Sequence, residues 1–268
     1  MRAIFFCPIF LLFFSFNLFA QIDDKKNLFI KSKSDLSVAS LTQRDSGQMQ
    51  LILDLEYFND IRELRPCNLN MKVPFFENQV LNLELEAFDA YSKDFELLRN
   101  TDKGLISERY QPNIQSYRIE GPSFISGSIS FMKDFLIGLI KYNGSVYEIK
   151  SINDSTYVLF DVSKSMDESN FACHAVAPEN VNLQNNDFSS QMMDPVCVEM
   201  GIDIDFFTFV EFGYDCYGAT EWALALLAGV NEVYYEELDG LVSIQARYIN
   251  VWEVIDDYYY LNDCGDML

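Results

Sequence analysis

The chain has 268 residues and sets 41 Asp and Glu against 19 Lys and Arg, a formal net charge of -22. An acidic excess of this size repels nucleic acid and anionic membrane surfaces, so neither is expected as a partner. With 49% hydrophobic and 15% aromatic residues it can bury real cores, and its length suits one large or two small domains.

Residues 1–20 read as a secretory signal peptide. Arg2 supplies the positive charge, Ile4 to Phe16 an almost unbroken apolar stretch, and Leu18-Phe19-Ala20 a small residue at the cleavage point. Pro8 and Asn17 interrupt a segment already short of the ~20 apolar residues of a spanning helix, so a membrane anchor is the weaker reading. The remainder is expected to be exported, soluble and free of the membrane. Cys7 leaves with the leader, and Cys67, Cys173, Cys197, Cys216 and Cys264 remain. An odd count in an oxidising compartment leaves at least one thiol free or bonded to another chain, and the spacing does not choose a pairing.

Residues 21–162 are predicted to be β-rich. Met49, Leu51, Leu53 and Leu55 alternate, as do Leu81, Leu83, Leu85 and Ala87. Phe135 to Tyr142, the turn Asn143-Gly144 and Ser145 to Ile149 spell a hairpin, because Asn-Gly takes the positive φ angles of a type I′ turn. Thr156 to Val162 follows as a further strand of an antiparallel meander. Residues 163–194 lose all periodicity and read as a linker, which holds the single histidine, His174, beside Cys173.

From residue 195 the pattern becomes strand, helix, strand. Val196, Val198, Met200, Ile202 and Ile204 line one strand face, and Cys197, Glu199, Gly201, Asp203 and Asp205 the other. A helix is predicted from Thr220 to Leu238, with Gly240 past its end. Glu221, Ala225, Ala228, Glu232 and Glu236 are read as its wet stripe; Ala223, Leu227, Val230, Val233, Tyr234 and Leu238 as its inward one. Val242 to Trp252 alternates as a second strand, parallel to the first through a right-handed crossover. The expected fold class is α+β, a β-rich domain followed by an incomplete β-α-β unit.

Val198-Glu199-Met200 through Ile204-Asp205 with Phe206 to Gly213, Trp222-Ala223-Leu224 through Tyr234, and Val242 to Trp252 follow one another in an order that resembles the opening of the catalytic domain of reprolysin-type (metzincin) zinc metalloproteases. Upstream, Ile119-Glu120-Gly121 through Ser126-Gly127-Ser128, Phe135 to Gly138 and Tyr147-Glu148-Ile149 resemble the end of that family's β-rich prodomain. The resemblance implies a secreted zymogen that cleaves proteins with zinc, and structural calcium in some members.

This sequence departs from the family's pattern where the chemistry lies. No HExxH occurs, and one histidine cannot supply three imidazole ligands. The chain is therefore expected to be a truncated, N-terminal portion of such a zymogen: residues 1–20 leader, 21–162 prodomain, 163–194 linker, 195–268 the start of the catalytic domain. No catalytic residue and no cofactor are assigned to it, zinc and calcium being implied for the full-length relative, with proteins as its substrates. Two positions are carried over. Cys173 matches the region where a prodomain thiolate holds zinc latent, with an ordinary disulfide as the alternative; Glu199 matches an early-strand calcium ligand, with a solvated carboxylate as the alternative. The competing reading of the whole is a secreted, non-enzymatic β-rich binding protein.

Overall fold

A computed structural model describes residues 27–32, 47–165 and 195–255. The leader, Cys173, His174 and Cys264, with most of the predicted linker, lie outside the described residues.

The first segment begins with β1 (Phe29–Lys31), β2 (Gln48–Leu53), α1 (Leu55–Leu64), β3 (Asn68–Pro74) and β4 (Val80–Phe88). It continues with β5 (Tyr91–Thr101), β6 (Gly104–Glu108), β7 (Gln115–Glu120), β8 (Ile125–Phe131), β9 (Leu136–Tyr142), β10 (Ser145–Ser151), β11 (Thr156–Asp161) and the one-turn α2 (Val162–Ser165). Among the described residues nine of these strands make one antiparallel sheet in the order β1-β2-β11-β10-β9-β8-β7-β4-β3. It curls until β1 touches β3, and its interior is one apolar cluster. The predicted alternation sets this inner face: Met49, Leu51 and Leu53 on β2 and Leu81, Leu83 and Leu85 on β4 are all buried. Asn143 (φ 51) and Gly144 (φ 82) make the expected turn between β9 and β10.

Leu55 departs from the expected strand and opens α1. Asp54 caps that helix, its side chain accepting from the Tyr57 N–H at 3.0 Å, and the left-handed Arg65 ends it. Tyr57, Phe58 and Ile61 then fill the barrel interior, Phe58 stacked on Phe131.

The second segment is β12 (Val196–Ile204), α3 (Phe206–Glu211), α4 (Cys216–Glu237) and β13 (Val242–Trp252). β12 and β13 are parallel, joined through α4 as predicted. α4 starts four residues earlier than the Thr220 cap: Asp215 caps it, accepting from the Tyr217 N–H, and Thr220 instead bonds back to the Cys216 carbonyl.

The two segments are not separate sheets. β5 pairs in parallel with β13, and β6 pairs with β5, giving the order β12-β13-β5-β6. The strand Val242–Trp252 is thus an interior strand, flanked by β12 and β5. Nothing local in the sequence tells which sheet β5 joins, because its partners on β13, such as Ile249 opposite Leu97, lie 152 or more positions away.

Candidate functional site: the seam between barrel and helix

α4 lies between the two sheets, and its orientation is the expected one only in part: Ala223 and Leu227 of the inward stripe are buried as predicted. Glu221, Ala225, Ala228 and Glu232 of the supposed wet stripe are buried, whereas Val230, Val233, Tyr234 and Leu238 of the supposed inward stripe are exposed. The reason is visible on β8, whose two faces are both covered. Ile125, Ile129 and Phe131 point into the barrel, while Ser126, Ser128 and Ser130 form a shallow, buried polar floor for α4. Only small residues allow a helix to come close to such a floor. Ala225, Ala228 and Gly229 provide them; a Cβ on Gly229 would already stand 3.8 Å from Ser128 Oγ. Ser116 and Ser130 satisfy each other across β7 and β8 at 2.8 Å.

Two carboxylates on this face find partners from the first segment. Arg118 Nε on β7 donates to Glu232 Oε2 at 2.7 Å, and both side chains are largely withdrawn from water. The guanidinium also lies 3.4 Å from the centre of the Tyr235 ring, with Phe88 at 5.3 Å on another side. Burial outweighs the Arg118 partner and pushes the Glu232 carboxyl up to about 7. Glu221 Oε1 accepts from the Tyr110 hydroxyl at 2.7 Å and from the Asn113 N–H at 2.9 Å. Burial, then the Glu221 hydrogen bond, raises the Tyr110 phenol well above its ordinary value. On the side facing the smaller sheet, buried Asn231 accepts from the Ile244 N–H, pinning α4 to β13.

Further bonds tie the segments along the smaller sheet. Arg99 pairs with Glu253, and Asn100 donates to Asn250, which donates in turn to Asp203. Of these residues the sequence placed only Asp203, on the face of the strand that it shares with Glu199. The available signal was the stripe Ala225, Ala228, Gly229 between Glu221 and Glu232: small residues at helical spacing mark close packing, and acids within that stripe need partners.

Of the two carried-over positions, Glu199 is exposed on β12, paired in register with Gln245. Among the described residues no group of three or more His, Cys, Asp or Glu is arranged to hold a metal ion. Among the described residues there is also no helix long and apolar enough to cross a membrane. Among the described residues Cys67, Cys197 and Cys216 form no disulfide with one another.

No family model matches the chain and no curated protein matches it. Solved structures similar to it include metalloproteinase-II from Bacteroides fragilis, at 7% identity and a TM-score of 0.34, covering 69% of this chain. The chain spans about half the length of that protein, 53%. A superposition this loose fixes no residue-by-residue correspondence.

Proposed function

We propose that this chain is the amino-terminal portion of an exported, reprolysin-type zinc metallopeptidase precursor, in which the β-barrel acts as the folding template of the β-α-β unit. One observation carries the reading: β5, from the upstream segment, is the parallel neighbour of β13. Two parallel strands and one helix cannot cover both faces of their own sheet. Here the upstream segment supplies the missing strand edge through β5 and β6, and its barrel supplies the floor for α4 through β7 and β8. That is the physical task of a prodomain that chaperones its client.

In this reading residues 1–20 direct export and are removed after Ala20, and the zinc ligands and the general base belong to polypeptide outside the present sequence. Zinc, when bound there, supplies the activated water for hydrolysis of protein substrates. This chain's own residues only position: Asn231 registers helix on strand, and Arg118 and Tyr110 fix the helix on the barrel. The test is the coding sequence beyond Leu268 together with hydrogen exchange. An in-frame HExxH is expected, and Leu97→Asp, in the buried core shared by β5, α4 and β13, should strip protection from residues 216–252. A stop codon, or protection there that ignores Leu97→Asp, overturns the reading.

A second reading, a secreted recognition module, is favoured by one feature. A cleft of about 450 Å3 opens beside the β9–β10 turn, where Phe75, Phe76, Tyr142 and Tyr147 meet the Asp161–Lys164 ion pair. A stop codon after Leu268 combined with a ligand that quenches tyrosine fluorescence would support it.

A further inference from the structure

The barrel is joined to the smaller sheet by two short connections, residues 89–90 from β4 into β5 and residues 109–114 from β6 into β7. Beyond them the β5–β6 hairpin is firmly held. It is laddered to β13, the Ala246 N–H reaches the Ala90 carbonyl at 2.9 Å, and Phe95 and Leu97 are buried. α4 runs from this junction along the barrel wall. Its first half is tied to the second connection, because Glu221 is bonded to Tyr110 and Asn113. The barrel residues that share an apolar core with the helix, Ile114, Met132 and Ile137, lie at the same end, around the start of β7. Farther along, the contact changes character. Ala225, Ala228 and Gly229 rest on the serine floor, and such small residues bury little apolar area. At the far end Arg118 meets Glu232 and Lys141 meets Glu236. The seam is apolar and backbone-paired where the connections lie, and held by charge where they do not.

Glu232 is the carboxylate on which the far end turns. β7 brings Arg118 and Glu120 to it, and α4 itself brings Glu236. β8 offers only serines, and Lys141 of β9 is already engaged by Glu236 and Glu237. On β4, Glu86 and Glu84 stand opposite Arg118 and Glu120. On the other side of the helix, Arg247 of β13 is turned to Asp94 of β5, and β12 carries Glu199 and Asp203 on the sheet face away from the core. Carboxylates therefore outnumber cations at this end, and a charge on Glu232 adds to the excess. Burial holds its carboxyl up at about 7 against an ordinary 4.5, so the docked arrangement binds the proton more tightly than a solvated one.

We propose that the barrel is hinged on residues 89–90 and 109–114. It closes on α4 while Glu232 is protonated and swings off the C-terminal half of the helix once Glu232 has ionised. The β5–β6 hairpin and the first half of α4 stay in place, and Asn231 keeps the helix on β13 in both states. Between pH 4.5 and about 7 the open fraction rises with pH, by at most about tenfold per unit, and above that it is level. In acid the two segments are one body; near neutrality the barrel is poised to part from the β-α-β unit. The hinge needs only the seam and holds whatever follows Leu268, so its failure leaves the precursor reading untouched.

Spin labels carried on ketone side chains, which leave the cysteines untouched, measure the seam in the full chain. One pair joins exposed Val80 of β4 to exposed Val233 of α4; a second joins exposed Leu105 of β6 to Val233, across the side that stays clamped. Pulsed dipolar distances from pH 5 to 8 should show a longer Val80–Val233 population that grows with pH, while the Leu105–Val233 distance does not change. Glu232→Gln, and the double variant Arg118→Met with Glu232→Leu, have nothing to ionise at position 232 and should stay docked at every pH. Glu237→Gln, which removes a carboxylate 70% exposed, should titrate like the unmodified chain. A Val80–Val233 distance that ignores pH overturns the proposal, as does a pH-dependent longer population that persists in both variants at position 232. Equal change in the two label pairs also overturns it, because the whole fold is then loosening.

Discussion

Arg118 and Glu232 stand 114 positions apart and meet at 2.7 Å in the seam, each the charge that makes the other tolerable there. Removing one partner of a buried pair leaves an uncompensated charge, so Arg118→Ala should cost about 3–5 kcal/mol in urea unfolding. It also strips the cation from the Tyr235 ring. The double variant Arg118→Met with Glu232→Leu should recover most of the loss, because apolar groups of similar volume need no partner. A single variant costing under about 1 kcal/mol would mean that the pair is solvated like a surface bridge.

Glu232 also predicts a pH dependence. Its ordinary value is 4.5, and burial raises it to about 7 in the folded chain. Between these values the folded state holds a proton that the unfolded state has released, so stability falls as pH rises through this window. The slope is at most about 1.4 kcal/mol per pH unit. Above about 7 both states are ionised and this contribution is flat. The difference in unfolding free energy between the unmodified chain and Glu232→Gln, measured from pH 4.5 to 8, isolates the effect. Parallel curves for the two proteins would contradict the raised value.

The barrel was legible where one strand face is wet. Leu81, Leu83 and Leu85 alternate with exposed Val80, Asn82 and Glu84, and Asn143-Gly144 announces its own turn. The reading failed where a surface that looks polar is covered. Ser126, Ser128 and Ser130 look like the outer face of a half-exposed strand, and Glu221 and Glu232 like the outer face of a helix; each lies buried against the other element. A periodicity argument assumes that acids and hydroxyls seek water, whereas here Glu221 and Glu232 find partners more than 100 residues away and Ser130 finds Ser116 on the next strand. The exposed Val230 and Val233 of α4 are the reverse of the same error. Cys173, the residue on which the latency idea rested, lies outside the described residues, and Glu199 stands exposed on β12.

The thiols should differ in reactivity. Cys67 and Cys197 are exposed, the latter with its Sγ 3.4 Å from Gln245 Oε1. Cys216 is buried at the first position of α4, where a helix N-terminus ordinarily favours the thiolate; burial nevertheless raises its value. Alkylation of the native protein followed by peptide mass mapping should therefore modify Cys67 and Cys197 and spare Cys216 until denaturant is added. Rapid native modification of Cys216 would place α3 and the start of α4 in an open arrangement. Failure of Cys67 and Cys197 to react even when denatured would place them in a disulfide.

Gly127 gives the sharpest test of the barrel wall. It sits within β8 opposite Ile140 of β9, with φ at 134°, a conformation that side chains rarely adopt. A Cβ there would stand 1.9 Å from the Leu139 carbonyl oxygen and 3.1 Å from Ile140 Cα, both backbone atoms fixed in the ladder. Neither can turn aside as a flexible side chain would, so β8 and β9 must separate at the point where α4 rests on Ser128. Gly127→Ala should therefore cost about 3 kcal/mol or more, the sum of backbone strain and overpacking. Gly144 is the proper control: its φ is also positive, at 82°, yet nothing lies within 4 Å of an added Cβ. Gly144→Ala should cost only about 1 kcal/mol, from the backbone conformation alone. Urea unfolding of the two variants under one set of conditions separates clash from strain. Because the clash lies under the helix, Gly127→Ala should also speed exchange in α4, which Gly144→Ala should leave unchanged. Equal cost for the two variants would show that β8 and β9 do not approach as closely as the ladder requires.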